Sequence, residues 1–176
     1  MSQSGQLAEL QAAVARLDAQ EQIRRRIYNC ARALDRLDRD LLKSQFWPEA
    51  QIDYGSIYRG PIEGFLDTAM AFQGSMRDTQ HLVGNILISV QTETASAESY
   101  VHAQHVIAQD SGLVQLIVGG RYLDRFERRA SEWRLRFRTE IIDWGRQLPI
   151  HEGWFDSNDQ LTKGLRSCSD ESYAIL

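Results

Sequence analysis

The sequence predicts one α+β domain in which helices come first and a long antiparallel meander follows. Its 176 residues match the usual size of a single domain, so we expect one domain over residues 1–176. Apolar residues recur at helical spacing in the first third, whereas four segments rich in Val, Ile, Tyr, Phe and Thr follow Thr79. Because helices and strands do not alternate, the pattern does not fit a parallel βαβ architecture.

The first third is predicted to hold two longer helices and a short one. Asp18 followed by Glu21 resembles a capping box, so a second helix is expected to begin there. A short third helix is expected to end at Trp47-Pro48. The apolar stripe of the first helix consists of Leu7, Leu10, Val14 and Leu17, and that of the second consists of Ile23, Ile27, Ala31 and Leu34.

The remaining elements are predicted from turn residues and from β-forming composition. A strand over residues 49–54 and a turn over 55–60 precede a helix that begins at Pro61 and runs to about Met76. The four later strands are unusually long, which indicates a strongly bent sheet. Residues 149–176 form a tail, expected to be a short helix or a flap over a pocket. The strands are predicted over residues 80–91, 95–109, 113–128 and 131–145.

Composition narrows the functional classes. The net charge of −4 and pI near 5.6 lack the basic excess of a nucleic-acid-binding protein. No apolar stretch approaches the length of a membrane span, and the first ten residues do not resemble a secretory signal. Cys30 and Cys168 fit no zinc or redox spacing, so no metal site is expected. We therefore expect a cytoplasmic protein without nucleic-acid or membrane partners.

The sequence contains no nucleotide-binding, zinc-protease or nucleophile-elbow motif. The chemistry that its side chains can supply is therefore acid–base chemistry. His102 and His105 differ by three positions, so strand alternation sends them to opposite faces. His81 opens the first long strand, and Asp35 stands near a helix end. The spacing of the residues also allows a simpler interpretation of Asp35. In that interpretation, Asp35 belongs to a charged helix end and pairs with a nearby arginine.

Several segments together resemble the SnoaL-like branch of the nuclear-transport-factor-2-like superfamily over about residues 15–145. The resemblance implies a cone-shaped, curved antiparallel sheet wrapped by N-terminal helices, with a ligand pocket at its open mouth. Members include dehydratases, a dehydrochlorinase, isomerases and cyclases. The segments are ALDRLD, a Trp-Pro-Glu-Ala turn, Tyr54, a helix opened by Gly-Pro, TQHLVGN, GGRYLDRFERR and EWRLRFR.

The resemblance implies an active site built on Asp35 and His81. In the dehydratase and dehydrochlorinase members an aspartate at a helix end orients a histidine at the start of a strand, and those positions match this pair. Tyr54 and Arg138 match further functional positions of these members. In the sequence alone, Arg138 alternates with apolar neighbours, which is typical of a residue on a solvated strand face. A role in the site and a position on the surface therefore both stay open for Arg138.

Cys30 is the main departure from the family pattern, because relatives carry a lysine or a tyrosine there. A thiol supplies neither that charge nor that hydrogen bond, so a different leaving group or substrate is expected. Tyr28 could compensate from a neighbouring helical position, although its direction differs by about 200° around the helix. Other residues expected around the substrate are Trp47, Phe65, Phe72, His102, Tyr122 and Trp144.

The predicted function is a cofactor-independent lyase or isomerase that acts on a small hydrophobic ring compound such as an aromatic, polyketide or steroid-like molecule. Elimination, isomerisation and cyclisation all stay open, and a cyclase could use Asp35 or Asp38 directly as an acid. The alternative is a non-catalytic ligand-binding or assembly subunit that resembles the small subunit of aromatic-ring dioxygenases. We also expect a homo-oligomer, either a trimer or a dimer, because the helices can cover only one face of the sheet.

Overall fold

A computed structural model describes residues 2–110, 112–150 and 154–175. The helices are α1 (Gln3–Arg36), α2 (Arg39–Ser44), α3 (Ile62–Gly74) and α4 (Trp154–Ser157), and a 3₁₀ turn spans Glu171–Ala174. The strands are β1 (Phe46–Asp53), β2 (Arg59–Pro61), β3 (Asp78–Val90), β4 (Thr94–Gln109), β5 (Gly112–Arg129) and β6 (Glu132–Pro149). The predicted α+β class, with helices before a meander, is confirmed.

The six strands form one curved, unclosed sheet in the order β2-β1-β6-β5-β4-β3. Strands β3 to β6 pair antiparallel in sequence order, as predicted, whereas β1 pairs parallel with β6. The expectation of a purely antiparallel sheet is therefore wrong at this one pair. Register shifts between Gly84 and Leu87 and between Gly119 and Gly120 interrupt the ladders, and such irregularities increase bending and twist.

Helix α1 is continuous from Gln3 to Arg36, which corrects the prediction of two helices. Asp18 does not cap a second helix, since its carboxylate accepts a hydrogen bond from the Gln22 side chain one turn later. Leu37 adopts a left-handed conformation that ends the helix. The first buried residue of α1 is Ala19, so the earlier apolar stripe stays exposed.

The short elements after α1 also differ slightly from the prediction. Helix α2 begins after Asp38, whose carboxylate accepts a hydrogen bond from the Leu41 backbone N–H at 2.8 Å. It ends at Ser44, so Trp47-Pro48 lies inside β1 instead of terminating a helix. Pro48 lies within the β1–β6 register shift, where the strand ladder is interrupted.

The core lies between the helices and one face of the sheet. Helix α1 packs on β3 and β6, and α3 packs on β1 and β2. Trp133 and Leu135 of β6 are buried beneath them, together with Phe126 of β5. The main apolar residues that the helices contribute are Ile23, Ile27, Leu34, Ile62, Phe65 and Leu66.

The tail attaches to the outside of the helices. Arg166 donates hydrogen bonds to the backbone carbonyls of Gln73 and Met76 at the end of α3. The Tyr173 hydroxyl donates to Asp38 at 2.7 Å, and the Arg32 guanidinium lies over the Tyr173 ring. Within the described chain, no helix is long and apolar enough to cross a membrane.

Candidate active site

A cavity of about 190 Å³ lies between α3, the end of α1 and the inner face of strands β3 to β6. An apolar protein cavity of about 150 Å³ is enough to hold benzene, so this volume suits one substituted ring. Most of its wall is apolar, and a few polar groups interrupt it. The apolar wall includes Leu34, Phe65, Ala69, Phe72, Leu116, Val118 and Ile142.

His81 lines this cavity from the start of β3 and is held by Asp35 from the last turn of α1. The Asp35 Oδ1 and His81 Nδ1 atoms lie 2.7 Å apart, as predicted, and the second carboxylate oxygen accepts the His81 backbone N–H at 3.1 Å. The two side chains are only 14% and 5% exposed. This arrangement places the proton on Nδ1 and leaves Nε2 as the nitrogen that can accept a proton.

His105 is a second histidine in the cavity wall and was not among the predicted site residues. Its ring lies edge-on to that of His81, with 5.4 Å between centroids, and its Nδ1 is 2.7 Å from the Thr79 hydroxyl. Burial and the neighbouring His81 charge lower the pKa of His105 to about 4. His105 is therefore a neutral hydrogen-bonding group at neutral pH.

Glu140 of β6 is the carboxyl group of the same cavity. Among the described residues it has no hydrogen-bond or ion-pair partner, although Arg138 lies two residues earlier on the strand. Burial raises the pKa of Glu140 to about 7, while the charges of His81 and Arg138 partly oppose that rise. Glu140 was not among the residues predicted for the site, and the structure places it in the cavity wall.

Tyr54 and Tyr122 supply two phenolic hydroxyl groups to the cavity wall. Their rings lie 6.2 Å apart, and that of Tyr54 also packs on Phe65 at 4.8 Å. Burial raises the pKa of both tyrosines well above the usual value. Both hydroxyls therefore stay protonated and able to donate hydrogen bonds.

Arg138 lies behind the cavity wall and does not line the cavity. Its side chain is almost completely buried, and two of its nitrogens each donate to Asp124 at 2.7 Å. The guanidinium lies 4.3 Å from the centre of the Tyr122 ring. Neither earlier interpretation holds, since Arg138 is not a solvated strand residue and does not reach the cavity directly.

Cys30 is buried beside Arg138 and likewise does not line the cavity. Burial raises the pKa of its thiol to about 11, against a smaller opposing effect of the Arg138 charge. Tyr28 is 47% exposed and borders a shallow groove on the outer side of Asp35 and His81. Because it faces that outer groove, it does not replace the missing family side chain within the cavity.

The other predicted pocket residues divide into two groups. Phe65, Phe72 and Tyr122 line the cavity. His102 and Trp144 pack against each other in a groove on the outer face of the sheet, because His102 pairs with Leu82 and not with His81. Trp47 lies at the far end of the sheet, where its indole N–H donates to the Glu127 carbonyl at 3.0 Å.

The polar groups of the cavity do not form a metal site. Within residues 2–110, 112–150 and 154–175, no group of three or more His, Cys, Asp or Glu side chains is placed to hold a metal ion. Cys30 and Cys168 are both free thiols. The polar groups that the cavity presents include a histidine oriented by a carboxylate, a carboxyl group with a raised pKa and two tyrosine hydroxyls.

Residues 15–139 match the SnoaL-like domain family. The chain belongs to this family. Its structure has the nuclear-transport-factor-2-like fold, which confirms the resemblance seen in the sequence. No curated protein matches the chain.

Solved structures show the same SnoaL-like fold. LinA superposes with a TM-score of 0.72 at 20% identity, over 80% of this chain and 97% of that one. A LinA-type3 hexachlorocyclohexane dehydrochlorinase from Novosphingobium barchaimii gives 0.71 at 19% identity, over 80% and 98%. A protein named as a scytalone dehydratase from Novosphingobium aromaticivorans gives 0.69 at 18% identity, over 80% and 95%. At these identities the likeness shows the fold alone.

Proposed function

We propose that this SnoaL-like protein is a cofactor-independent lyase or isomerase that removes a proton from a carbon of a compact hydrophobic ring compound. The observation that carries the proposal is the Asp35–His81 hydrogen bond at the wall of an apolar cavity. The dehydratase and dehydrochlorinase named among the structural neighbours support this general class of reaction.

In the proposed reaction, Nε2 of His81 accepts the proton from carbon. Asp35 keeps the imidazole in the required tautomer and stabilises the imidazolium that forms. A positioned base of this kind contributes about 10²–10⁴-fold in rate. The carbon must therefore also be acidified, which a carbonyl group on the adjacent carbon achieves.

Tyr54 and Tyr122 are proposed to stabilise the negative charge that develops on the carbonyl oxygen. Both line the cavity, and both hydroxyls are protonated at neutral pH. Hydrogen-bond donors fixed in a site with little water stabilise an oxyanion far more strongly than they do in bulk water. Arg138 is proposed as a positioning residue, because its guanidinium packs on the Tyr122 ring while Asp124 neutralises its charge.

The proposed experiment measures exchange of ring C–H protons for deuterium in cyclohexanone and related single-ring ketones by NMR. Exchange reports proton removal whatever reaction follows it. His81→Ala should lower the catalysed exchange rate by about 10²–10⁴-fold. His102→Ala is the matched control, since that histidine lies on the outer face of the same sheet. Unchanged exchange in His81→Ala would show that another group is the base.

A homo-oligomer, either a trimer or a dimer, is the proposed assembly. Large apolar side chains remain exposed on the outer face of the sheet, and a second copy of the chain would cover them. Light scattering at micromolar concentration is expected to give a multiple of the 20.2 kDa chain mass, and a stable monomer would contradict the proposal. The exposed side chains include Leu82, Leu87, Tyr100 and Trp144.

A further inference from the structure

The cavity contains an acid in addition to the proposed base. We infer that Glu140 donates a proton to the departing hydroxyl group of the substrate, so that the substrates are single-ring ketones with a hydroxyl group β to the carbonyl. This inference rests on the proposed function, in which His81 removes the proton from carbon. It adds a catalytic residue and selects dehydration from among the possible reactions.

The shape of the sheet brings Glu140 and His81 to one cavity. They belong to β6 and β3, which are separated by two strands in the sheet order. In a flat sheet strands three positions apart would lie about 14 Å from each other. Curvature brings both side chains to the wall of a single cavity of about 190 Å³. One bound ring can therefore contact both groups.

Glu140 differs from the paired carboxylates Asp35 and Asp124 because no described residue pairs with it. Asp35 and Asp124, in contrast, each form two hydrogen bonds to a single partner residue. An unpaired carboxyl in an apolar wall is most stable in its neutral form, and burial accordingly raises the pKa of Glu140 to about 7. The group can therefore serve as a proton donor at neutral pH.

A hydroxyl group on the ligand is complementary to Glu140. A neutral carboxyl group donates through its O–H and accepts through its other oxygen, and a hydroxyl group likewise both donates and accepts. Glu140 is the only carboxyl group among the residues that line this cavity. The group that it contacts on the ligand is therefore inferred to be a hydroxyl.

The chemistry of the leaving group explains why an acid is needed. Nε2 of His81 takes the proton from the carbon next to the carbonyl, and the C–H electron pair becomes the new C=C bond. The C–O bond to the β carbon then breaks, and its electron pair stays on oxygen, which receives the Glu140 proton and departs as water. The proton held by His81 finally returns to the Glu140 carboxylate, which restores both groups. Chloride leaves without a proton and does not need this acid.

The test compares two probes, 3-hydroxycyclohexanone and 3-chlorocyclohexanone, which both eliminate to cyclohex-2-enone. Initial rates are measured for the wild-type chain, Glu140→Gln and Glu132→Gln, after subtraction of the uncatalysed reaction. Glu140→Gln should lower the ratio of hydroxyketone to chloroketone rates by about 10²-fold or more, since an amide cannot transfer the proton. Glu132→Gln should leave the ratio unchanged, because Glu132 lies on β6 outside the cavity.

The remaining outcomes separate this inference from the proposed function. Equal losses on both ketones in Glu140→Gln, or no loss on either, would show that Glu140 is not the acid. Wild-type conversion of the chloroketone alone, abolished by His81→Ala, would overturn the inference and leave the proposed base in place. Failure of the wild-type chain to convert either ketone contradicts the substrate class that the inference names.

Discussion

Strand β6 carries charged residues at five alternate positions from 132 to 140, and the surroundings of these residues differ. At the start of the strand, the partly exposed side chains of Arg134 and Glu132 pair at 2.8 Å. Further along, Arg138 is buried with Asp124, whereas the half-buried Glu140 has no hydrogen-bond or ion-pair partner among the described residues. The same alternation of charged and apolar residues therefore leads to a surface network, a buried ion pair and a reactive carboxyl group.

This difference shows that a functional charge is distinguished by what surrounds it. A surface ion pair contributes little to stability because water already solvates its charges. A buried ion pair needs both of its members, since removal of one leaves the other as an uncompensated buried charge. An unpaired buried carboxyl instead stays neutral, and such perturbed groups cluster at functional sites. The structure therefore predicts different consequences for carboxylate-to-amide substitutions along these strands.

The largest effect is expected for the buried pair. Asp124→Asn leaves the Arg138 charge without a compensating carboxylate and should lower the free energy of unfolding by about 3–5 kcal/mol. Glu132→Gln, which removes a partly exposed partner, should cost at most about 1 kcal/mol. Urea unfolding of the two variants makes the comparison. Similar losses would show that the buried and the partly exposed ion pairs do not differ in the way proposed.

The next effect concerns Asp35 and catalysis. Asp35→Asn should lower kcat for ring-proton exchange by about 10²-fold or more with little change in KM, because an amide cannot stabilise the His81 imidazolium. Asp18→Asn is the matched control, since that aspartate lies earlier on α1, outside the cavity, and its carboxylate accepts a hydrogen bond from Gln22. A rise in KM at constant kcat would instead assign Asp35 a role in substrate binding.

A smaller effect is expected in the pH dependence of stability. The pKa of Glu140 rises from 4.5 to about 7 on folding, so the folded protein holds a proton that the unfolded chain has lost in this range. Wild-type stability therefore decreases as the pH rises from about 4.5 to 7, by at most about 3 kcal/mol from this group. Glu140→Gln lacks this titration, so its stability relative to wild type should increase over that range. Thermal unfolding of both proteins at several pH values measures the difference, and a constant difference would contradict it.

Much of the fold could be predicted from local sequence patterns. Apolar spacing and strand composition placed the helices, the four long strands and the Pro61 helix start close to their observed positions. The division of α1 into two helices was wrong because a capping box and an intrahelical Asp18–Gln22 hydrogen bond use the same residue types. The parallel β1–β6 pairing depends on contacts between distant segments, which local patterns do not specify.

The candidate site was harder to predict because the strand register determines which side chains face the cavity. The Asp35–His81 contact came from family resemblance, since 46 positions separate the two residues. Alternation correctly separated His102 from His105, but only the β3–β4 register shows that His105 faces inward. Glu140 was missed because an alternating charged position looks the same whether the strand face is exposed to water or closes a cavity.

The most direct test of the central claim is the titration of individual carboxyl groups by ¹³C NMR, with Glu140 and Glu132 assigned from their glutamine variants. The Glu140 carboxyl should titrate near pH 7, because its largely apolar surroundings disfavour the charged form and no described residue pairs with it. The pKa of Glu132 should lie below its usual value, because hydrogen bonding to Arg134 favours the charged form. If Glu140 titrates near 4.5 like an ordinary glutamate, the cavity holds no acid at neutral pH and the account of this site is contradicted.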